Sequence, residues 1–354
     1  MFGSNQEYEG SLIVKMYGGS HAYGTSLPTS DIDFRGIFVA PPVRIRTPFF
    51  PIKEQEDSSE MDTKYYELNQ FMKLAMDCNP NIIELLWTDD KDIVFRTPAY
   101  DLLREAAPKL LCSKIAFTTS GYALAQLKRI KGHNKWLANP QDINPPRQAD
   151  YVALVHNFTP VKTFKIDLHQ HRKGYRLVSF GGETYGLYAA EGYETFSDDY
   201  TLNTNFEGDS HELGVPMYVV KFNKEQYLAA KEKWSQYWTW KKERNVVRSA
   251  LEEQYGFDCK HAMHLVRLLR MGVEALTEGK IIVRRPDAEE LLQIRAGAWT
   301  YEQVVAYAEE TDRYVREDLY LKTKLPKTPN IKLAAQLILE VQDLIWNQNN
   351  NNER

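Results

Sequence analysis

The chain has 354 residues, which is enough for about two domains of ordinary size. Its composition is 43% hydrophobic and 26% charged, which excludes a disordered, collagen-like or disulfide-scaffold protein. Lys and Arg number 44 against 48 Asp and Glu, a net charge of −4. No overall positive field therefore draws the protein to nucleic acid, so an RNA or DNA partner would have to bind a local basic patch.

The cysteines and the first residues bear on where the protein works. Cys78, Cys112 and Cys259 lie far apart and form no CxxC motif, so we expect reduced thiols. The first residues show no basic segment followed by an apolar run, and no stretch approaches the ~18 apolar residues of a membrane span. We expect a cytoplasmic protein without a membrane partner.

The N-terminal part alternates short apolar runs with turns. Residues 11–17 predict a buried strand that ends at the turn Gly18-Gly19-Ser20. Residues 32–39 predict a second strand, and residues 62–67 a third. Apolar residues at helical spacing predict a helix from Leu68 to the Asn79-Pro80 stop.

The middle of the chain changes character. Residues 82–87 predict a short helix, and residues 99–131 predict helices broken near Pro108. Residues 139–222 are rich in Thr, Tyr, Val and Gly, and Gly181-Gly182 is typical of a hairpin turn. We interpret this stretch as a β-rich insertion.

The C-terminal part is helical by pattern. Residues 225–254 predict one long helix, and residues 260–277 another that Gly279 ends. Thr300 and Gln303 form a capping box for a helix over 301–321, and Arg284-Arg285-Pro286 is interpreted as helix punctuation. The expected fold class is α+β: a catalytic domain over 1–100 with a mixed sheet of four or five strands, then a mainly helical region over 101–354 that carries the insertion.

One segment carries a pattern of chemical interest. The sequence YGGSHAYGTSLPTSDIDFRGIFV, residues 17–39, places Asp31 and Asp33 at the start of a strand, ten residues after the turn containing Gly19 and Ser20. Because side chains alternate along a strand, both carboxylates and Arg35 share one face. Paired carboxylates can chelate two hard cations such as Mg²⁺, with Mn²⁺ as a substitute. The glycine turn frees backbone N–H groups for phosphates, and Ser20 adds a hydroxyl.

These parts together suit phosphoryl or nucleotidyl transfer. An Asp-x-Asp pair by itself is more often a solvated turn or a cap, and a Gly-Gly-Ser turn is weaker still. Their joint spacing between two apolar strands, with a third strand bearing its own carboxylate, favours the functional interpretation.

The spacing from Gly-Ser to Asp-x-Asp resembles the signature of the DNA polymerase β nucleotidyltransferase superfamily. The string GSHAYGTSLPTSDIDFRGIFV is closer to bacterial and phage nucleotidyltransferases of the RNA-repair-pathway type, and the segments at 62–87 and 258–304 strengthen the resemblance. The β-rich insertion resembles the family less clearly. A bacterial cell or a phage-infected host is therefore the implied setting.

The resemblance implies roles for particular residues. Asp31, Asp33 and a third carboxylate on the next strand would hold the metals, and that third group could act as general base. Asp62 is our choice, with Glu67 as the alternative. Arg35 is expected either to contact the triphosphate or to neutralise the carboxylates.

A later helix supplies candidate contacts to the nucleotide. Lys260, His264 and Arg267 recur at helical spacing, and related enzymes use basic side chains of a helical domain on the triphosphate or base. The alternative is a solvated face with salt bridges.

The function that follows is transfer of a nucleoside monophosphate from an NTP to a hydroxyl, with release of pyrophosphate. The family association makes an RNA 3′ end the leading acceptor, with tRNA among the candidates. The alternatives are a protein or small-molecule acceptor, a nucleotide-binding protein without turnover, and a two-metal nuclease.

Overall fold

The computed structural model describes residues 10–49, 51–57, 62–155, 164–165, 168–204, 214–243 and 246–352. The chain divides into two compact units, one made of Met1–Leu137 with Val247–Arg354 and the other of Ala138–Val246. We refer to them as unit 1 and unit 2.

Unit 1 contains a mixed sheet of five strands in the order β3-β4-β2-β1-β5. Its strands are β1 (Ser11–Tyr17), β2 (Asp33–Val39), β3 (Glu54–Asp57), β4 (Asp62–Glu67) and β5 (Ile93–Arg96). Strands β2 and β4 run parallel, and the other neighbours are antiparallel. This confirms the predicted α+β fold with an N-terminal mixed sheet.

The helices of unit 1 come before and after unit 2 in the chain. The first group is α1 (Gly19–Tyr23), α2 (Pro42–Arg46), α3 (Leu68–Met76), α4 (Pro80–Ile83), α5 (Pro98–Leu110) and α6 (Ile115–Ala138). Unit 2 contributes α7 (Lys224–Glu243). The second group is α8 (Val246–Tyr255), α9 (Cys259–Glu278), α10 (Ala288–Arg295), α11 (Tyr301–Arg313), α12 (Tyr320–Lys322) and α13 (Ile331–Asn352).

The core of unit 1 explains why these segments form these elements. Alternation in β1 buries Val14 and Met16, and the helical spacing in α3 buries Leu68, Phe71 and Ala75 against them. A second apolar cluster joins α6, α10 and α11 to the first half of α9. The second half of α9 contributes Met271, Ala275 and Leu276 to the first cluster, so the sheet and α9 belong to one compact unit.

Unit 2 is built on an antiparallel sheet in the order β7-β6-β10-β9-β8. Its strands are β6 (Val152–Leu154), β7 (Phe164–Lys165), β8 (Lys173–Gly181), β9 (Thr184–Glu194) and β10 (Tyr218–Phe222). The hairpin is present, with its turn one residue later than predicted: Gly181 ends β8 and pairs with Thr184, and Gly182 and Glu183, both with positive φ, form the turn.

The structure corrects several predicted boundaries. Pro108 lies inside α5 and is exposed, and the helix continues past it to Leu110. The buried side chains of Leu110 and Leu111 anchor this last turn in the core. The helix predicted over 225–254 is two helices, α7 and α8, and residues 244–245 lie outside the described residues. The sequence pattern does not predict β3 or β5, because both are edge strands of four residues: β3 is entirely polar, and the apolar run of β5 is too short to show alternation.

Among the described residues, we find no helix with the length and apolar character needed to cross a membrane.

Candidate functional site

The parallel pairing of β2 and β4 brings the predicted carboxylates together. Asp33 opens β2 and Asp62 opens β4, and the two residues are direct partners in the register. Arg35 Nη2 lies 3.9 Å from Asp33 Oδ1 and 3.6 Å from Asp62 Oδ2. Asp31 lies two residues before Asp33, close enough for its charge to act on it. The structure therefore gathers four of the predicted residues at one edge of the sheet.

The protonation of Asp33 reflects this crowding. Burial raises the pKa of Asp33, the Arg35 guanidinium lowers it, and the carboxylates of Asp62 and Asp31 raise it again. Adjacent carboxylates repel each other unless a cation lies between them. Arg35 supplies part of that charge, and its Nη1 also donates to the backbone carbonyl of Asp62 at 2.8 Å.

The glycine turn lies in close contact with Asp33. Gly18 N donates to the backbone carbonyl of Asp33 at 2.8 Å, which joins the end of β1 to the start of β2. Gly19 takes φ 55°, and a Cβ there would lie 2.2 Å from Asp33 Oδ2. Glycine is required at this position for two reasons, the backbone conformation and the close approach. Ser20 follows in α1, one residue from this contact.

Glu67 occupies a different place from Asp62. It lies at the far end of β4, where it pairs with Phe38 instead of Asp33. Its side chain is buried and accepts a hydrogen bond from Asn69 N at 2.7 Å, which caps α3. Four strand residues lie between it and Asp62, so the two are five residue steps, roughly 16 Å of backbone, apart. This geometry favours Asp62 as the third carboxylate, although its role as a metal ligand stays a prediction.

Arg267 reaches the motif through residues that the sequence analysis missed. Tyr23, in α1, donates from its hydroxyl to Glu84 Oε1 at 2.6 Å. Arg267 Nη1 lies 3.5 Å from Glu84 Oε2, and its guanidinium stands over the Tyr23 ring at 3.7 Å. Arg267 is only 3% exposed, so its charge is committed to this buried cluster. Contact between Arg267 and a nucleotide stays a prediction.

Glu84 could have been suspected from the sequence. It is an acidic residue within an apolar run, ELLW, and its side chain is buried. Burial raises the pKa of Glu84, whereas Arg267 and the Tyr23 hydroxyl lower it. A charged residue in such a run needs a partner, but the sequence did not say that the partner lies 183 positions away.

The other two predicted residues of α9 lie in a positive environment. Burial lowers the pKa of His264 to about 3, and the charges of Arg267, Lys260, His261 and Arg295 lower it in the same direction. His264 is therefore a neutral imidazole among cations at physiological pH. Lys260 is half-buried on the preceding turn.

Three further arginines make hydrogen bonds or ion pairs with residues in or near α1 and with Asp92. Arg285 N donates to the carbonyl of Tyr23 at 3.0 Å, and Arg295 Nη1 to the carbonyl of Thr25 at 3.5 Å. Arg284 pairs with Asp92 at 2.6 Å. The segment 284–286 lies between α9 and α10, as the interpretation of helix punctuation predicts, and Arg285 also binds the last residue of α1.

The comparisons with known proteins agree with this geometry. Residues 3–137 match the family model RlaP, described as "RNA repair pathway DNA polymerase beta family". The match confirms the resemblance predicted from the sequence. It covers the strands and turn of the candidate site and lies entirely within unit 1.

A phage protein is also similar. The "Uncharacterized 38.9 kDa protein in nrdC-mobD intergenic region" of Enterobacteria phage T4 is 38% identical over 91 residues. The matched segment covers 23% of this chain and 27% of the phage protein, so the chain spans about a quarter of that relative's length. No solved structure matches the chain.

Proposed function

We propose that this protein is a Mg²⁺-dependent nucleotidyltransferase that moves a nucleoside monophosphate from an NTP to a hydroxyl and releases pyrophosphate. The observation that carries the proposal is the parallel register of Asp33 with Asp62, beside the Gly19 turn. Two carboxylates at one sheet edge and a glycine turn in contact with one of them are the parts that metal-assisted transfer needs.

The donor set fits Mg²⁺. Asp31, Asp33 and Asp62 offer hard carboxylate oxygens, which Mg²⁺ prefers. Burial and, to a smaller extent, the charges of Asp62 and Asp31 raise the pKa of Asp33, and divalent cations would stabilise its ionised form against both effects. Bound Mg²⁺ would neutralise charge at the α-phosphate and lower the pKa of the attacking hydroxyl.

The protein's own side chains and backbone would bind the phosphates, position the carboxylates and accept the proton. Gly19 and Ser20 would cradle the β- and γ-phosphates through backbone N–H groups and a hydroxyl. Arg35, which lies beside the carboxylates, would hold them in place until metal binds and then turn toward the triphosphate. Asp62 is 70% exposed, so it can accept a proton from an incoming hydroxyl, as a general base requires.

The positive face of α9 would complete the nucleotide site. Lys260 and His264 would contact the triphosphate or the base, with His264 acting as a neutral hydrogen-bonding group. Arg267 would act mainly as a positioning residue, because it ties α9 to Tyr23, three residues after Ser20.

The proposed acceptor is an RNA 3′ end, tRNA included, in the cytoplasm of a bacterium or a phage-infected cell. The description of the matching family and the phage relative support this choice.

The test uses each of the four NTPs labelled at the α-phosphate, with Mg²⁺ or Mn²⁺ and total RNA. The expected result is label in RNA that requires metal and disappears in Asp33→Asn. Asp101→Asn is the matched control, since Asp101 is a partly exposed carboxylate of α5 outside the site. Label on protein would overturn the RNA acceptor, and absence of both label and pyrophosphate would overturn the transferase.

A further inference from the structure

A second cluster of ligand-type side chains lies outside the proposed catalytic residues. It joins His133 of α6, Glu252 of α8 and Asp258, the residue that precedes α9. One nitrogen or oxygen from each of these side chains lies within 4.8 Å of the other two. His261, in the first turn of α9, adds a second imidazole, whose Nε2 lies 3.5 Å from Asp258 Oδ2.

Local hydrogen bonds hold the donors in place. The side chain of Asn134, next to His133, donates to the carbonyl of Gly256 at 2.9 Å, and Gly256 N donates to the carbonyl of Glu252 at 2.8 Å. Asp258 Oδ1 accepts from His261 N at 3.0 Å and thereby caps α9. Its other oxygen, Oδ2, is the one that faces the two imidazoles.

Both carboxylates of this cluster are buried. Glu252 is 3% exposed and Asp258 is 1% exposed. Because water is largely excluded around them, a cation held by these carboxylates would be bound at low dielectric, where its attraction to them is strong.

The donor types select the kind of ion. Imidazole nitrogen with carboxylate oxygen suits Zn²⁺ and similar first-row ions, whereas Mg²⁺ prefers oxygen ligands alone. With bonds of about 2.0–2.1 Å, tetrahedral donors lie roughly 3.4 Å apart. Asp258 Oδ2 lies 4.0 Å from His133 Nδ1, so binding would require a small contraction of side chains.

We propose that His133, Glu252 and Asp258 bind one Zn²⁺ ion, with His261 or water at the fourth position. This site is structural: it pins α6 and α8 to the start of α9. It is independent of the proposed nucleotidyl transfer, since it shares no residue with the carboxylates of the sheet edge and uses a different donor set.

The test measures Zn²⁺ binding in an Asp33→Asn background, so that metal at the sheet edge does not add to the count. The protein is dialysed against Zn²⁺, its metal content is measured, and Co²⁺ absorption reports the coordination geometry. The expected result is one equivalent of Zn²⁺ with a tetrahedral Co²⁺ spectrum. His133→Gln and Glu252→Gln should each weaken binding at least about 100-fold, while His171→Gln, an imidazole in unit 2, should bind as the parent does.

A second measurement guards against variants that fail to fold. Thermal unfolding of the unmodified chain should shift to lower temperature after chelation and return with Zn²⁺ but not with Mg²⁺. Less than stoichiometric Zn²⁺ in the parent, equal binding in the folded His133→Gln variant, or an unfolding temperature that chelation leaves unchanged would overturn the proposal.

Discussion

The two sheets of this protein have the same number of strands and lead to different chemistry. In unit 1, β2 and β4 run parallel, so both strands begin at the same edge and Asp33 meets Asp62. In unit 2, the pairings among described strands are all antiparallel, so neighbouring strands begin at opposite edges. Strand direction therefore decides where acidic residues at strand starts converge.

The two units also differ in how their acidic and basic side chains balance one another. Unit 2 contains a cavity of about 1310 Å³, lined by acidic residues such as Asp142 and Asp150 and by basic residues such as Arg147 and Lys221. Arg147 and Asp150 form an ion pair at 2.9 Å, so these charges compensate one another. At the unit 1 edge, Arg35 lies beside both Asp33 and Asp62, and the charge of Asp31 adds to that of Asp33 and Asp62, so acidic groups outnumber the arginine that contacts them.

Removing a carboxylate should matter only at the parallel edge. We expect Asp62→Asn to lower metal-dependent NMP transfer by about 10³-fold, because loss of a metal ligand forfeits several kcal/mol of transition-state stabilisation. Asp150→Asn, in the unit 2 cavity, should change pyrophosphate release less than about twofold. Rates at saturating Mg²⁺ provide the measurement, and equal losses in the two variants would refute the contrast.

A buried ion pair of unit 1 should contribute more to the free energy of unfolding than an exposed ion pair of unit 2. Arg267→Ala leaves Glu84 buried without its cation and should lower the free energy of unfolding by about 3–5 kcal/mol. Arg147→Ala breaks a largely exposed pair and should cost at most about 1 kcal/mol. Urea denaturation followed by circular dichroism measures both values. A loss below 1 kcal/mol in Arg267→Ala would show that the buried cluster is not a structural support.

Alanine substitutions at two glycines with positive φ distinguish the effect of backbone strain on stability from the effect of a close contact on activity. Gly19→Ala forces a Cβ to within 2.2 Å of Asp33 Oδ2 and should lower transfer by about 10²-fold. Gly174 of β8 has φ 78° but open space around its Cβ position, so Gly174→Ala should cost only about 1 kcal/mol of stability and leave transfer unchanged. Transfer activity per folded molecule distinguishes the two variants. A Gly19→Ala variant with full activity would contradict a functional role for the close contact between Gly19 and Asp33.

The pH dependence of stability tests the environment of His264. The native pKa near 3 lies below the unfolded value near 6.5, so only the unfolded state gains a proton between these values. The contribution of the neutral imidazole to stability should therefore be fully present above pH 6.5 and be lost as pH falls, by up to about 1.4 kcal/mol per pH unit. His264→Gln should flatten this slope, and His171→Gln should not. An unchanged slope in His264→Gln would contradict the assignment.

Much of the site could be predicted from local sequence. The turn at Gly19 and Ser20, the strand start at Asp33 and the strand start at Asp62 follow from apolar runs, turn residues and alternation, which depend on neighbours in the chain. The pairing of Asp62 with Asp33, in preference to Glu67, depends on strand register and could not be read from spacing.

The sequence by itself determined β1, β2 and β4, most helix positions and the carboxylate motif, because hydrophobic periodicity and turn chemistry act over a few residues. Only the tertiary structure decided that Arg267 is buried against Tyr23 and Glu84, and that His133, Glu252 and Asp258 meet. The contacts of Arg267 and of His133 join residues more than one hundred positions apart in the chain. They arise because helices of unit 1 bury their apolar faces together, and a one-dimensional pattern shows which face is apolar but not which partner covers it.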